Sequence, residues 1–147
     1  MRPAGQYLYD ARNYELNLTM KSRWLVALIY GALIISLIII ADGKETHNWF
    51  DFIRRLPLGD KIGHFCLMGG LSFVINWALA CRRFTLGRGR FLQGSAIVAG
   101  LVTLEEFSQL FVRYRTFDLT DLAADFAGIF LFGRLACWLS QRRARAE

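Results

Sequence analysis

The chain has 147 residues and a net charge of +6 at pH 7; 54% of its residues are hydrophobic and 14% aromatic. This length indicates one domain, and the apolar content exceeds the about 45–50% of an ordinary soluble domain and is concentrated in four blocks. The basic residues flank these blocks and accompany no nucleic-acid-binding motif, so a membrane explains the charge and no nucleic-acid partner is expected.

The first apolar block predicts a membrane-spanning helix. It covers residues 24–41, which carry no charge and come close to the about 20 residues that a spanning helix needs. Trp24 stands where an anchor at the membrane interface belongs. Residues 1–23 are too polar and too long for the start of a typical signal peptide, and no small-residue cleavage site follows the block. We therefore expect a polar cytoplasmic N-terminal segment and a first span that is retained.

Three further spans are predicted at residues 62–80, 91–112 and 122–140. Asp60 is a suitable N-cap for the second span. An arginine-rich turn joins the second span to the third, and a short polar link joins the third to the fourth. The predicted fold is therefore an all-α membrane protein, a bundle of about four transmembrane helices. It consists of a membrane domain over residues 24–140 and a basic C-terminal tail over residues 141–147.

The three cysteines, Cys66, Cys81 and Cys137, lie in or at the edges of apolar blocks. An odd and scattered set argues against a disulfide framework and against a metal site. We interpret all three as small apolar packing residues.

The lysines and arginines outside the spans predict how the chain crosses the membrane. Eleven lie in the N-terminal segment, the arginine-rich turn and the tail. Six lie on the other side: Lys44, Arg54, Arg55, Lys61, Arg113 and Arg115. Because positive residues are enriched on the cytoplasmic side, both termini are expected in the cytoplasm.

With this orientation, polar side chains meet at the outer face of three spans. Residues three or four apart share one face of a helix. This gives three stripes: Lys61, His64 and Met68; Glu106, Gln109 and Arg113; and Asp121, Asp125 and Gly128. Charged groups at membrane depth face the bundle interior or a water-filled cavity, so the stripes are expected to face one another. Small residues would allow the helices to approach closely: Gly69, Gly70, Ala96, Gly100, Ala124 and Gly128.

These residues resemble the motifs of the VanZ-like proteins, small bacterial multi-pass membrane proteins. Asp60-Lys61-Ile62-Gly63-His64 is similar to the Asp-Lys-x-x-His entry into a membrane helix in that family. Its Glu-x-x-Gln, Arg, Asp and Gly pattern over the last two helices is matched by Glu106, Gln109, Arg115, Asp121 and Gly128. The family usually has Asn where this chain has Asp125. The resemblance covers roughly residues 24–140 and implies a role in the bacterial cell envelope, in the cytoplasmic (inner) membrane, related to susceptibility to the glycopeptide teicoplanin.

The polar residues at the outer face are the candidate site. The candidates for acid–base catalysis are Glu106, His64 and Asp121, because carboxyl and imidazole groups can exchange protons. The candidates for binding a substrate are Lys61, Gln109, Arg115, Asp60 and Asp125, with the planar guanidinium of Arg115 suited to a phosphate or carboxylate. No close metal-binding motif is present, so no metal and no other cofactor are expected.

Two functions remain open on this basis. In the first, the pocket recognises the headgroup of an anionic envelope lipid or cell-wall precursor, and acid–base chemistry could modify it. In the second, the protein is a non-catalytic accessory or scaffold whose polar cluster is an interhelical lock. A proton-coupled carrier is disfavoured because polar groups at one depth do not line a path across the membrane. Whether the protein is an enzyme, and its oligomeric state, are not predicted; the lipid bilayer is its expected partner.

Overall fold

The structure is a computed structural model that describes residues 4–42, 59–109 and 119–146, with side chains described over residues 18–40, 59–107 and 119–146. Four helices and one β-hairpin form this part of the chain. In order they are α1 Ala4–Asp42, α2 Gly59–Ala78, β1 Arg83–Leu86, β2 Gly89–Leu92, α3 Gln93–Gln109 and α4 Leu119–Ala146. The predicted helical blocks are thus present as helices.

Two helices have the length and composition of membrane spans. The segment Leu18–Ile40 of α1 and the whole of α4 reach a mean hydropathy of 2.3 and 1.6, and only 11% and 33% of these windows are buried within the protein. Such exposed apolar surface is suited to lipid. The described part of α3 is 17 residues long, so a bundle of four membrane spans remains a prediction. The helix α1 passes through Trp24 without a break, so the predicted N-terminal segment is largely helical.

The helices α2 and α4 run in the same direction and form the main helix pair. They approach closely because the residue at their crossing, Gly128, has no side chain. A Cβ atom there would collide with the backbone carbonyl of Phe65. Gly69 packs in the same way against Phe132, whose ring lies 5.6 Å from that of Phe65. The prediction that small residues allow close approach is confirmed at Gly128 and Gly69.

The helices α1 and α3 pack on this pair. Tyr30 of α1 contacts Gly70, and its hydroxyl group donates a hydrogen bond to the carbonyl of Leu67 at 3.3 Å. On the other side, Val98 and Val102 of α3 are buried against Ile129 of α4. Gly100 does not belong to a helix contact among the described residues, since a Cβ atom there would meet none of them within 4 Å. The prediction was therefore wrong for Gly100.

A β-hairpin replaces the predicted turn between the second and third spans, so the prediction of a purely α-helical fold was wrong here. Strands β1 and β2 pair antiparallel with Phe84 opposite Phe91, and their rings lie 6.0 Å apart. Gly87 takes the positive φ of 60° that the tight turn requires. As a result, α3 begins at Gln93, two residues later than predicted.

Cys81 and Cys137 form a disulfide, so the interpretation of both as simple packing residues was wrong. Their Cα atoms are 5.5 Å apart, and the bond closes a loop between residues separated by 56 positions. It joins the chain just after α2 to the C-terminal half of α4. Cys66 is a free and exposed thiol rather than a packing residue.

Candidate functional site

Two ion pairs connect the first two turns of α2 with those of α4. Lys61 Nζ lies 2.9 Å from Asp121 Oδ1. One turn further along both helices, His64 Nδ1 lies 3.2 Å from Asp125 Oδ1 and 3.3 Å from Oδ2. The pairs form because residues three and four apart share a face on each helix and because the two helices begin at the same end of the bundle. The prediction that these two stripes face each other is confirmed.

The cations and the carboxylates of these pairs differ in exposure. The side chains of Lys61 and His64 are 32% and 27% exposed, whereas those of Asp121 and Asp125 are 13% and 2% exposed. The carboxylates of Asp121 and Asp125 therefore lie behind the cations, and the accessible layer of the site consists of the Lys61 and His64 side chains together with the exposed Asp60.

The contact with Asp125 fixes the chemistry of the His64 ring. An ionised carboxylate can only accept hydrogen bonds, so opposite an ionised Asp125 the Nδ1 atom of His64 is the donor. The other ring nitrogen, Nε2, is then the one that can exchange a proton or meet a ligand. A carboxylate that holds an imidazole in one tautomer is the arrangement that proton-transfer sites use. Asp125 was predicted to bind substrate, and the structure makes it the partner of His64.

Asp60 lies beside the same group, in the first turn of α2 rather than before it as the predicted N-cap. One ligand atom each from Asp60, His64 and Asp121 lie within 4.8 Å of one another, so these three residues could together contact a cation. Lys61 already donates to Asp121 there. A metal ion at this point would compete with that ammonium group for the carboxylate of Asp121.

Glu106 is a buried carboxyl group in α3, only 2% exposed. It lies on the same face as Val98 and Val102, at four-residue intervals, and this face packs against Met68 of α2 and Leu122 of α4. Glu106 is therefore the inward-facing member of the Glu105–Glu106 pair, and Glu105 is the more exposed of the two. The described residues do not include the side chain of Gln109 or any part of Arg115, so the predicted roles of both in binding a substrate stay predictions.

A second polar cluster, not predicted as a site, lies deeper between α2, α3 and α4. Ser72 donates a hydrogen bond to the carbonyl of Ile129 at 2.9 Å and lies 3.1 Å from the hydroxyl of Ser95. Asn76 donates to the Ser95 hydroxyl at 2.9 Å and to the carbonyl of Ser72 at 2.8 Å. Gly133 leaves the space for these groups, because a Cβ atom there would collide with Ser95. The four-residue spacing of Ser72 and Asn76 is the sequence feature from which this cluster could have been predicted.

This deeper cluster is structural in character. Ser72 and Asn76 are fully buried, and interhelical hydrogen bonds between small polar side chains stabilise helix packing in membranes. The hydrogen bonds of Asn76 to Ser72 and Ser95 make it part of the packing between the helices.

A protein family and a known protein are similar to this chain. The profile of the VanZ/LLP1 family matches residues 12–140, most of the chain. The chain is also 37% identical over 75 residues to an uncharacterized protein of Schizosaccharomyces pombe. The matched stretch is 50% of this chain and 43% of that protein, so the chain spans less than half of its relative's length. No solved structure matches the chain.

Proposed function

The chain belongs to the VanZ/LLP1 family, and we propose that it is a membrane protein of the bacterial cell envelope whose polar site recognises the headgroup of an anionic lipid or cell-wall precursor. The site consists of Lys61, His64, Asp121 and Asp125, with Glu106 on the neighbouring helix. The effect on susceptibility to glycopeptides such as teicoplanin would follow from this recognition.

The difference in exposure between cations and carboxylates is the observation that supports this proposal. Lys61 and His64 are about one-third and one-quarter exposed, while their carboxylate partners are largely buried. A phosphate or carboxylate approaching the site would therefore reach the side chains of Lys61 and His64 before those of Asp121 and Asp125, with the exposed carboxylate of Asp60 beside them. Asp121 and Asp125 offset the cost of holding two cations near a membrane interior when no ligand is bound.

The same geometry supplies a route for protons. His64, held through Nδ1 by Asp125, presents Nε2 as the group that accepts or donates a proton, and general acid–base groups need this fixed orientation. Glu106 is a second carboxyl group on the inward face of α3. If the protein modifies its ligand, we assign proton transfer to His64 and Glu106, and contact with the anionic group to Lys61.

An interhelical lock is the second candidate. The observation that favours it is that each cation already has a carboxylate partner from the opposite helix at 2.9 or 3.2 Å. Two such pairs fix the register of α2 against α4 without any ligand, and buried ionic groups are known to set register in some proteins.

Lys61 distinguishes these functions most directly. We express the protein in a teicoplanin-susceptible bacterium and measure the lowest inhibitory concentration of teicoplanin. Wild type is expected to raise it, and Lys61→Gln to lose most of the increase at wild-type abundance in the membrane. Lys61→Gln keeps a hydrogen-bond donor to Asp121, so the helices remain joined, but it removes the accessible charge.

Lys21→Gln is the matched control, since Lys21 is an exposed lysine of α1. It should leave the increase unchanged. Full resistance in Lys61→Gln would refute headgroup recognition through this site and support the interhelical lock.

A further inference from the structure

A groove of about 730 Å³ lies between the hairpin, α3 and α4; it extends along α4 from Phe126 to Gln141, and its basic end lies away from the two ion pairs. Its volume falls within the range of about 300–1,000 Å³ that is typical of small-molecule sites. It shares no residue with the site described above, so what it binds is independent of the proposed function.

One end of this groove is strongly basic. Arg83 and Arg90 come from the hairpin and Arg134 from α4, and none of the described residues that line the groove is acidic. The register places Thr85 opposite Arg90, so Arg83 and Arg90 project from the same face of the hairpin. All three guanidinium groups are exposed, and no ion pair within the described residues engages them.

The rest of the groove is apolar and open to the side. Phe126 and Phe130 of α4 form one wall and are 41% and 58% exposed, and Ala96 and Ala99 of α3 form the other. Arg134 marks the boundary, with its Cζ atom 4.3 Å from the centroid of the Phe130 ring. From Arg134 to Phe126 the wall extends eight residues along α4, or roughly 12 Å at the rise of an α-helix.

We infer that this groove binds one anionic phospholipid, with its phosphate at Arg83, Arg90 and Arg134 and an acyl chain along Phe126 and Phe130. Three exposed guanidinium groups that form no ion pair within the described residues favour an anionic ligand, and guanidinium forms two parallel hydrogen bonds to a phosphate. The apolar wall beside them is suited to a hydrocarbon chain of the same molecule. Basic pockets between membrane helices bind the headgroups of anionic lipids in this way.

The position of the groove agrees with a lipid ligand. It opens on the exposed side of α4, whose apolar surface is suited to the bilayer. Trp138 also lines it and is 47% exposed, and tryptophan is enriched at the level of the lipid headgroups. The basic end therefore lies at the depth of the phosphates and the apolar wall extends into the hydrocarbon.

The test is native mass spectrometry of the full chain, purified in detergent and titrated with phosphatidylglycerol or phosphatidylcholine. We expect wild type to retain phosphatidylglycerol in preference to phosphatidylcholine. The variant Arg83→Gln/Arg90→Gln/Arg134→Gln should bind phosphatidylglycerol at least about tenfold more weakly. The control, Arg82→Gln/Arg88→Gln/Arg145→Gln, removes the same charge from exposed arginines outside the groove and should change binding less than about twofold. Equal loss in both variants would refute a specific site and indicate general attraction by surface charge.

A second pair of variants tests the apolar wall without changing the charge. Ala96→Trp fills the groove and should displace phosphatidylglycerol, whereas Ala127→Trp, at an exposed alanine of α4 outside the groove, should not. Glycerol phosphate should fail to compete at concentrations where lysophosphatidylglycerol competes. Equal competition by the two would show a site for a free anion, and a dimer that dissociates only in the Arg83→Gln/Arg90→Gln/Arg134→Gln variant would show a protein interface; either result overturns the inference.

Discussion

The imidazole of His64 on α2 is held by the carboxylate of Asp125 on α4, with Nδ1 3.2 Å from Oδ1, and only 2% of the Asp125 side chain is exposed. The pair depends on a position at which the resemblance to VanZ-like proteins leads one to expect Asn. An amide would accept a hydrogen bond from His64, but it would not carry the charge that makes this contact an ion pair when the ring is protonated.

His64→Ala should be strongly destabilising. It leaves the carboxylate of Asp125 buried without its partner, and breaking a buried ion pair in this way costs about 3–5 kcal/mol. The double variant His64→Ala/Asp125→Asn should recover much of this loss, because it removes the buried charge as well. Thermal unfolding of the purified protein in detergent measures both effects.

Lys61→Ala is the comparison for that experiment. Its partner Asp121 is 13% exposed and can be partly solvated, so the destabilisation should be smaller than for His64→Ala. Equal losses at the two positions, or no recovery in the double variant, would show that the His64–Asp125 pair is not a buried charge pair in the folded protein.

Gly128→Ala tests the crossing of α2 and α4. The added Cβ atom would collide with the carbonyl oxygen of Phe65, which is backbone and cannot rotate away. We expect a loss of roughly 1–3 kcal/mol, as is typical of overpacking. Gly100→Ala is the matched control on α3, where a Cβ atom meets nothing within 4 Å. It should stabilise the helix by up to about 1 kcal/mol; a similar loss in both variants would contradict the crossing.

Helix periodicity explains how much of the site could be predicted from the sequence. That the stripe of Lys61 and His64 faces the stripe of Asp121 and Asp125 follows from three- and four-residue spacing and the cost of charge at membrane depth. These are local patterns. The free-energy cost of leaving charged side chains unpaired at membrane depth is large enough to decide which helix faces meet. Which cation meets which carboxylate was not predicted.

The features that were missed depend on contacts between distant residues or on weak local signals. Cys81 and Cys137 are 56 positions apart, and nothing near either residue indicates its partner. The hairpin strands have four residues each, too few for alternation to be distinguished from an arginine-rich turn. Nothing in the sequence around Gly100 distinguishes it from a glycine at a helix contact, and only the position of α3 in the fold shows that it faces away.

The charge bias predicts that the C-terminus lies in the cytoplasm and residue 59 outside. Reporters active on only one side of the membrane, fused at the C-terminus and at Gly59, measure this directly. The Cys81–Cys137 disulfide lies toward the end of α4 that carries the C-terminus, and disulfides are rare in the reducing cytoplasm. With the predicted orientation, alkylation of intact cells should trap both cysteines as thiols.

A disulfide already formed in intact cells, together with a C-terminal reporter active only outside, would reverse the predicted orientation. The polar site would then face the cytoplasm, and an extracytoplasmic headgroup could not be its ligand. Cys66→Ser removes the free thiol and keeps the alkylation signal specific to the disulfide pair.

Glu106→Gln and His64→Gln separate proton transfer from an interhelical lock. Each replacement keeps a side chain of similar size that can still form hydrogen bonds, but an amide cannot act as an acid or base at neutral pH. If the site performs proton transfer, both variants should be present at near-normal levels in the membrane and lose the effect on teicoplanin susceptibility. If the site is only a lock, both should keep that effect with a modest loss of thermal stability, because the amide groups can still form hydrogen bonds at these positions. Abundance, thermal unfolding and susceptibility are therefore measured on the same two variants. Full activity in both would end the catalytic hypothesis, whereas stable and inactive protein in both would exclude the lock as the whole function of the site.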